Sequence, residues 1–108
     1  MRTLLLALVI ALVAAAPAAA RTRNVKIGDD YFVKSGKPST ITVRKGAVVR
    51  WNWRGSDSHN VVVRKGPRHF QSGLKSSGHF SKKLRRRGTY KIICSIHAPE
   101  MRMTLRVT

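Results

Sequence analysis

From Arg21 onward the apolar residues come in short runs that alternate with polar ones, and each run is cut by Gly, Pro, Ser, Asp or Asn. A period of two sends successive side chains to opposite faces, so each run offers one face to a core and one to water. The spacing predicts strands over 24–27, 31–33, 39–44, 48–53, 59–64, 79–84, 89–94 and 101–107, with Gly28-Asp29-Asp30, Ser35-Gly36-Lys37-Pro38, Lys45-Gly46 and Arg87-Gly88 as breaks. The polar stretch from Lys65 to Gly78 reads as the least ordered part. Nothing beyond residue 20 has helical periodicity, and no internal repeat is present. The expectation is all-β: a Greek-key β-sandwich of seven to eight strands forming a single domain over 21–108.

Residues 1–20 have a different character. Arg2 precedes an apolar run from Leu4 to Ala16, and small residues lead to Ala18-Ala19-Ala20. This is the pattern of a secretory signal peptide cut after Ala20. A retained anchor suits so short a run less well. No cysteine stands near the cut, so lipid attachment there is excluded, and no later stretch is apolar enough to cross a bilayer. The expected location is periplasmic, or extracellular and associated with the cell wall.

The 88 residues from 21 to 108 are few enough for core burial alone to be marginal. Exported domains of this size often carry disulfides. With Cys94 as its only cysteine, this chain can form none internally. Residues 21–108 also keep 21 of the 22 Lys and Arg, since only Arg2 precedes them, against all four acidic residues, a net of +17. Such a field attracts anionic partners, either a negatively charged protein or an anionic cell-surface component such as lipid headgroups or cell-wall polymers. The densest run, Lys82-Lys83-Leu84-Arg85-Arg86-Arg87, suits either a solvated hairpin edge or a docking patch. Nucleic acid is not the expected partner of an exported chain without a recognised binding motif.

The lone thiol has chemically suggestive neighbours. Cys94 ends one predicted strand, Met101 begins the next, and His97 lies between them. His59 starts an earlier strand, directly after a turn, and a Greek key can bring that start to the same end. A thiolate, two imidazoles and a weak thioether are the donors of a type 1 copper centre. Zinc prefers a fourth strong ligand. A metal would also explain why an exported chain keeps an unpaired thiol, by holding it as thiolate.

"SHNVVV" at 58–63 followed by "GTYKIICSIHAPEMRMTLRV" at 88–107 resembles the cupredoxins, the small blue copper proteins of the plastocyanin, amicyanin and pseudoazurin kind. The "VVRWNW" strand, followed by a Ser/Asp turn, also resembles the strand before the first ligand in that family. The resemblance implies one type 1 copper ion held by His59, Cys94, His97 and Met101, with Asn60 hydrogen-bonding behind the ligands and tying their loops together. Met103 competes for the axial place. Met101 is preferred because it follows the loop directly, which leaves Met103 to core packing. His69 and His79 are expected at the surface, at least one of Trp51 and Trp53 in the core, and Tyr90 beneath the cysteine strand. Asp57 and Glu100 do not read as a carboxylate pair.

The implied function is electron transfer between redox partners through Cu(I)/Cu(II), not enzymatic catalysis. The ring edge of His97 would be the electron path, with Ala98-Pro99 in an apolar patch around it. A copper carrier or storage module would use the same ligands. The protein is expected to be a monomer with no transmembrane segment once the signal is removed.

Overall fold

The computed structural model describes residues 21–108, and the export signal expected over 1–20 lies outside the described residues. Eight strands form: β1 Thr22–Gly28, β2 Tyr31–Phe32, β3 Ser39–Val43, β4 Val48–Trp53, β5 Val62–Lys65, β6 His79–Lys83, β7 Gly88–Ile93 and β8 Arg102–Val107. They make two four-stranded sheets, ordered β2-β1-β4-β6 and β3-β8-β7-β5, with no helix among the described residues. The all-β sandwich read from the alternating runs is therefore the architecture found. Only β1–β2 and β7–β8 are consecutive strands paired within one sheet; the other connections cross between sheets.

The alternation does the packing. In β4, Val49, Trp51 and Trp53 turn inward, and in β8, Met103, Leu105 and Val107 do the same. Both tryptophans are buried, as is Tyr90. Phe70 and Phe80 lie with ring centroids 5.9 Å from Trp51. Burying each large apolar side chain contributes about 1.5–3 kcal/mol, and this is the main driving term available to a domain without a disulfide.

Two stretches differ from the expectation. The strand expected over 59–64 begins only at Val62, while His59 makes an isolated bridge with Lys75. The segment 65–78 is not loose. It bridges to the sandwich at His59–Lys75 and Val62–Gln71, and Ser72 is buried. The Ser72 hydroxyl accepts the Val61 N–H at 2.9 Å and donates to the Gly73 carbonyl at 3.0 Å. Hydrogen bonding rather than apolar periodicity orders this segment, and periodicity is blind to it.

Parallel pairing of β1 with β4 aligns Ile27 with Trp53. The β1–β2 turn and the loop after β4 therefore leave the sandwich side by side. Those connections and the β7–β8 loop define the end where the candidate ligands gather.

Candidate metal centre

His59 belongs to no strand, yet it is fully buried and held from several sides. Its N–H donates to the Lys75 carbonyl at 2.9 Å, and its carbonyl accepts both the Lys75 N–H at 3.1 Å and the Trp53 indole N–H at 3.0 Å. Cys94 continues the inward alternation of Tyr90 and Ile92 just past β7 and is buried. The loop it opens is tied to itself. The Cys94 carbonyl accepts the His97 N–H at 3.2 Å, the His97 carbonyl accepts the Met101 N–H at 3.1 Å, and the Cys94 N–H donates to the Met101 carbonyl at 3.1 Å.

These constraints bring His59, Cys94 and His97 together, with one possible ligand atom from each lying within 4.8 Å of the others. The Nδ1 atoms of His59 and His97 are 3.2 Å apart, and Cys94 Sγ lies 3.5 Å from Nδ1 of His97 and 4.0 Å from Nδ1 of His59. The point equidistant from the three atoms is about 2 Å from each, the length of a metal–imidazole bond.

The far side of each ring explains which nitrogen faces inward. His59 Nε2 lies 3.3 Å from Asp29 Oδ1, and His97 Nε2 lies 3.2 Å from Asp30 Oδ1. A carboxylate only accepts, so each Nε2 donates its proton and, in a neutral ring, Nδ1 is left as a lone pair. Two lone pairs and a sulfur then converge on one point, an arrangement that calls for a cation. Sulfur and imidazole donors of this kind suit copper. Asp29 is anchored further by the N–H groups of Ser56, at 2.9 Å to Oδ1 and 3.2 Å to Oδ2, and of Asp57 at 3.0 Å. The Asp57 and Ser56 N–H groups, and then the His59 ring, hold the Asp29 carboxyl below the usual carboxylate range.

Asn60 joins the two ligand loops. Its amide donates to Ser95 Oγ at 2.8 Å, and its Oδ1 accepts the Ser95 N–H at 2.7 Å. Met101 is buried in the bend before β8, and Met103 is buried within that strand. They differ in what their surroundings ask of the sulfur, since Sδ of Met103 accepts the buried Trp51 indole N–H at 3.4 Å. His69 and His79 are exposed and outside the cluster.

Sequence reasoning missed Asp29 and Asp30, which read only as turn residues. Their signal was compositional, because two of the four acidic residues in a strongly basic chain are adjacent. It also missed Ile96 and Leu74, large apolar residues 52% and 58% exposed. Ile96 precedes His97, and Leu74 precedes the lysine that pairs with His59.

The family model of copper-binding proteins, plastocyanin/azurin family, matches residues 22–108. Among solved structures, the Cu(I) form of an amicyanin variant superposes with a TM-score of 0.67 at 25% identity, covering 88% of this chain and 89% of that one. A novel purple cupredoxin from Nitrosopumilus maritimus gives 0.66 at 18% identity, over 79% of this chain and 98% of its own. A Cu-containing nitrite reductase (NirK) from Thermus scotoductus SA-01 gives 0.65 at 22% identity, and there 79% of this chain matches only 22% of the larger protein.

Proposed function

The chain belongs to the plastocyanin/azurin family of copper-binding proteins, and from that premise we propose that it is an exported carrier of single electrons between redox partners. The observation that carries this reading is the convergence of His59 Nδ1, Cys94 Sγ and His97 Nδ1 within 4.8 Å of one another. These three are the proposed strong ligands. Met101 is the proposed axial one, since the sulfur of Met103 is already engaged by Trp51. Copper held there supplies a one-electron Cu(I)/Cu(II) couple whose potential depends on the axial ligand and on hydrogen bonding around the thiolate.

The protein's own part is to hold the donors still and keep water out. His59 and Cys94 are fully buried, and Asn60 locks the loop after Cys94 against the loop after His59. Donors fixed in this way need little rearrangement when the metal charge changes. His97 is 30% exposed and is the proposed electron path. Ile96, Ala98 and Pro99 beside it are exposed and offer an apolar contact for a redox protein. With Met101 as the fourth ligand the donor set would be full, which suits electron transfer rather than catalysis, for which a metal keeps an open position.

The test is the visible spectrum of residues 21–108 titrated with Cu(II), alongside Cys94→Ser. The expected result is an intense thiolate-to-copper band at one equivalent, absent from the variant and bleached by ascorbate. A colourless complex, or a band that survives in Cys94→Ser, rejects the type 1 site. A blue site that cannot be cycled by a reductant and an oxidant points instead to carriage or storage.

A further inference from the structure

We infer that Asp29 and Asp30 act as paired positioning residues, one carboxylate for each imidazole, fixing which nitrogen His59 and His97 present to the metal. The inference rests on the copper reading for its consequence but not for its geometry.

The β1–β2 hairpin pairs Gly28 with Tyr31 and leaves Asp29-Asp30 as its tip. Asp30 has φ 67°, in the left-handed region that aspartate tolerates better than most residues. The two adjacent carboxylates serve different rings: Asp29 reaches His59 at 3.3 Å and Asp30 reaches His97 at 3.2 Å. One short turn thereby touches both histidines, which stand 38 residues apart in sequence. The packing makes room for it. A Cβ on Gly55 would collide with the Asp29 carboxylate, so glycine at that position lets the carboxylate reach the N–H groups of Ser56 and Asp57.

A carboxylate behind a metal-binding imidazole fixes its tautomer, orients the ring and makes it a stronger donor. Stronger donation favours Cu(II) over Cu(I), so the pair should hold the reduction potential down. The two contacts are unequal. Asp29 is 42% exposed and backed by three backbone hydrogen bonds onto a fully buried ring, while Asp30 is 65% exposed and meets a ring at the surface. Asp29 should therefore dominate.

The experiment compares wild type with Asp29→Ala, Asp30→Ala, the double variant and Asp29→Asn, each first shown to be folded by circular dichroism and melting. Two readouts are taken. In the copper-free protein, above the ordinary imidazole titration range, long-range proton–nitrogen NMR reports the tautomer of each ring. In the loaded protein, chelator competition gives Cu(II) affinity, and voltammetry gives the potential.

The expected result is Nε2–H on both rings in wild type and a mixture on the affected ring in each alanine variant. Cu(II) affinity should fall about 10–100-fold in Asp29→Ala and less in Asp30→Ala, with the potential raised in both. Asp29→Asn, which keeps an acceptor but not the charge, should restore the His59 tautomer while leaving the potential raised. A merely structural role of Asp29 in its loop would move neither the tautomer nor the potential. A double variant with unchanged tautomers, and with affinity within twofold of wild type, overturns the inference. If the tautomers respond as expected but no Cys94-dependent blue band forms, the positioning role stands and the copper reading fails.

Discussion

Met101 and Met103 show how little separates two roles at the level of single residues. They are two apart on one inward face, so alternation buries both. The indole N–H of Trp51 distinguishes them by taking the sulfur of Met103 at 3.4 Å. Met101→Leu should keep copper bound and raise the reduction potential, because losing a weak axial thioether removes more from Cu(II) than from Cu(I). Met103→Leu should leave the potential in place and cost about 1–2 kcal/mol, since it strands a buried donor. Voltammetry and thermal melting on the pair decide the matter; a potential that moves only in Met103→Leu reverses the assignment. His59, Cys94, His97 and Asn60 were legible as a group because "SHN" and "GTYKIICSIHAPEM" combine donor type with spacing. Asp29 and Asp30 were not, because a carboxylate in a turn looks the same whether it meets water or an imidazole far along the chain.

At the level of elements, β7 links the metal end to the rest of the sandwich. Its inward residues Tyr90 and Ile92 lead to Cys94, so displacement of the strand would be felt at the thiolate. The Tyr90 hydroxyl donates to the Arg86 carbonyl at 2.8 Å, pinning the turn before the strand. Tyr90→Phe should lower stability by about 1 kcal/mol. In a domain of this size that is a fall in melting temperature of about 4–8 °C. Burial also raises the phenol's pKa above its ordinary value, an effect that the charges of Arg68 and Arg86 only partly offset. A group raised in the folded state contributes its full stability below the unfolded value near 10 and loses it as pH rises through the folded value. The wild-type melting temperature should therefore drop on the alkaline side more steeply than that of Tyr90→Phe; parallel curves would show that Tyr90 is not responsible. Strand existence was legible because a period of two is a local signal, although residues 59–61 left the expected strand for bonds to Lys75 and Ser72. The ordering of 65–78 was not, since it depends on backbone partners supplied by distant residues such as His59 and Val61.

Over the whole molecule the acidic residues are gathered at one end, while the basic ones run along the entire chain. All four acidic residues belong to the metal end: Asp29 and Asp30 on the histidines, Asp57 in the loop before His59, and Glu100 in the loop after His97. The run Lys82–Arg87 lies at the opposite end, where the Leu84 carbonyl accepts the Gly46 N–H at 2.7 Å before β4 begins. The length of β7, at about 3.3 Å per residue, separates that run from Cys94 by roughly 20 Å. This is about two and a half Debye lengths at physiological salt. On the proposed reading, an anionic surface meeting the basic run would leave the copper end free for a redox protein. Replacing Arg85, Arg86 and Arg87 with glutamine should weaken binding to anionic lipid vesicles, with or without copper, and barely alter the rate of oxidation by ferricyanide. That rate should fall with added salt in both proteins, because the +17 field of residues 21–108 draws the anion in. A rate that collapses in the triple variant would place the run in the electron-transfer encounter itself.

The strand pattern, the inward faces and the grouping of His59, Cys94 and His97 were written in the chain, because alternation and donor chemistry are local properties of a few consecutive positions. The absence of an internal disulfide was written there too, since one cysteine cannot pair with itself. Folding alone settled which sulfur is engaged by an indole, which carboxylates stand behind the histidines, and that the acidic residues share one end. Each of those depends on residues brought together by strand pairing across tens of positions. Neither periodicity nor composition encodes the distance between them.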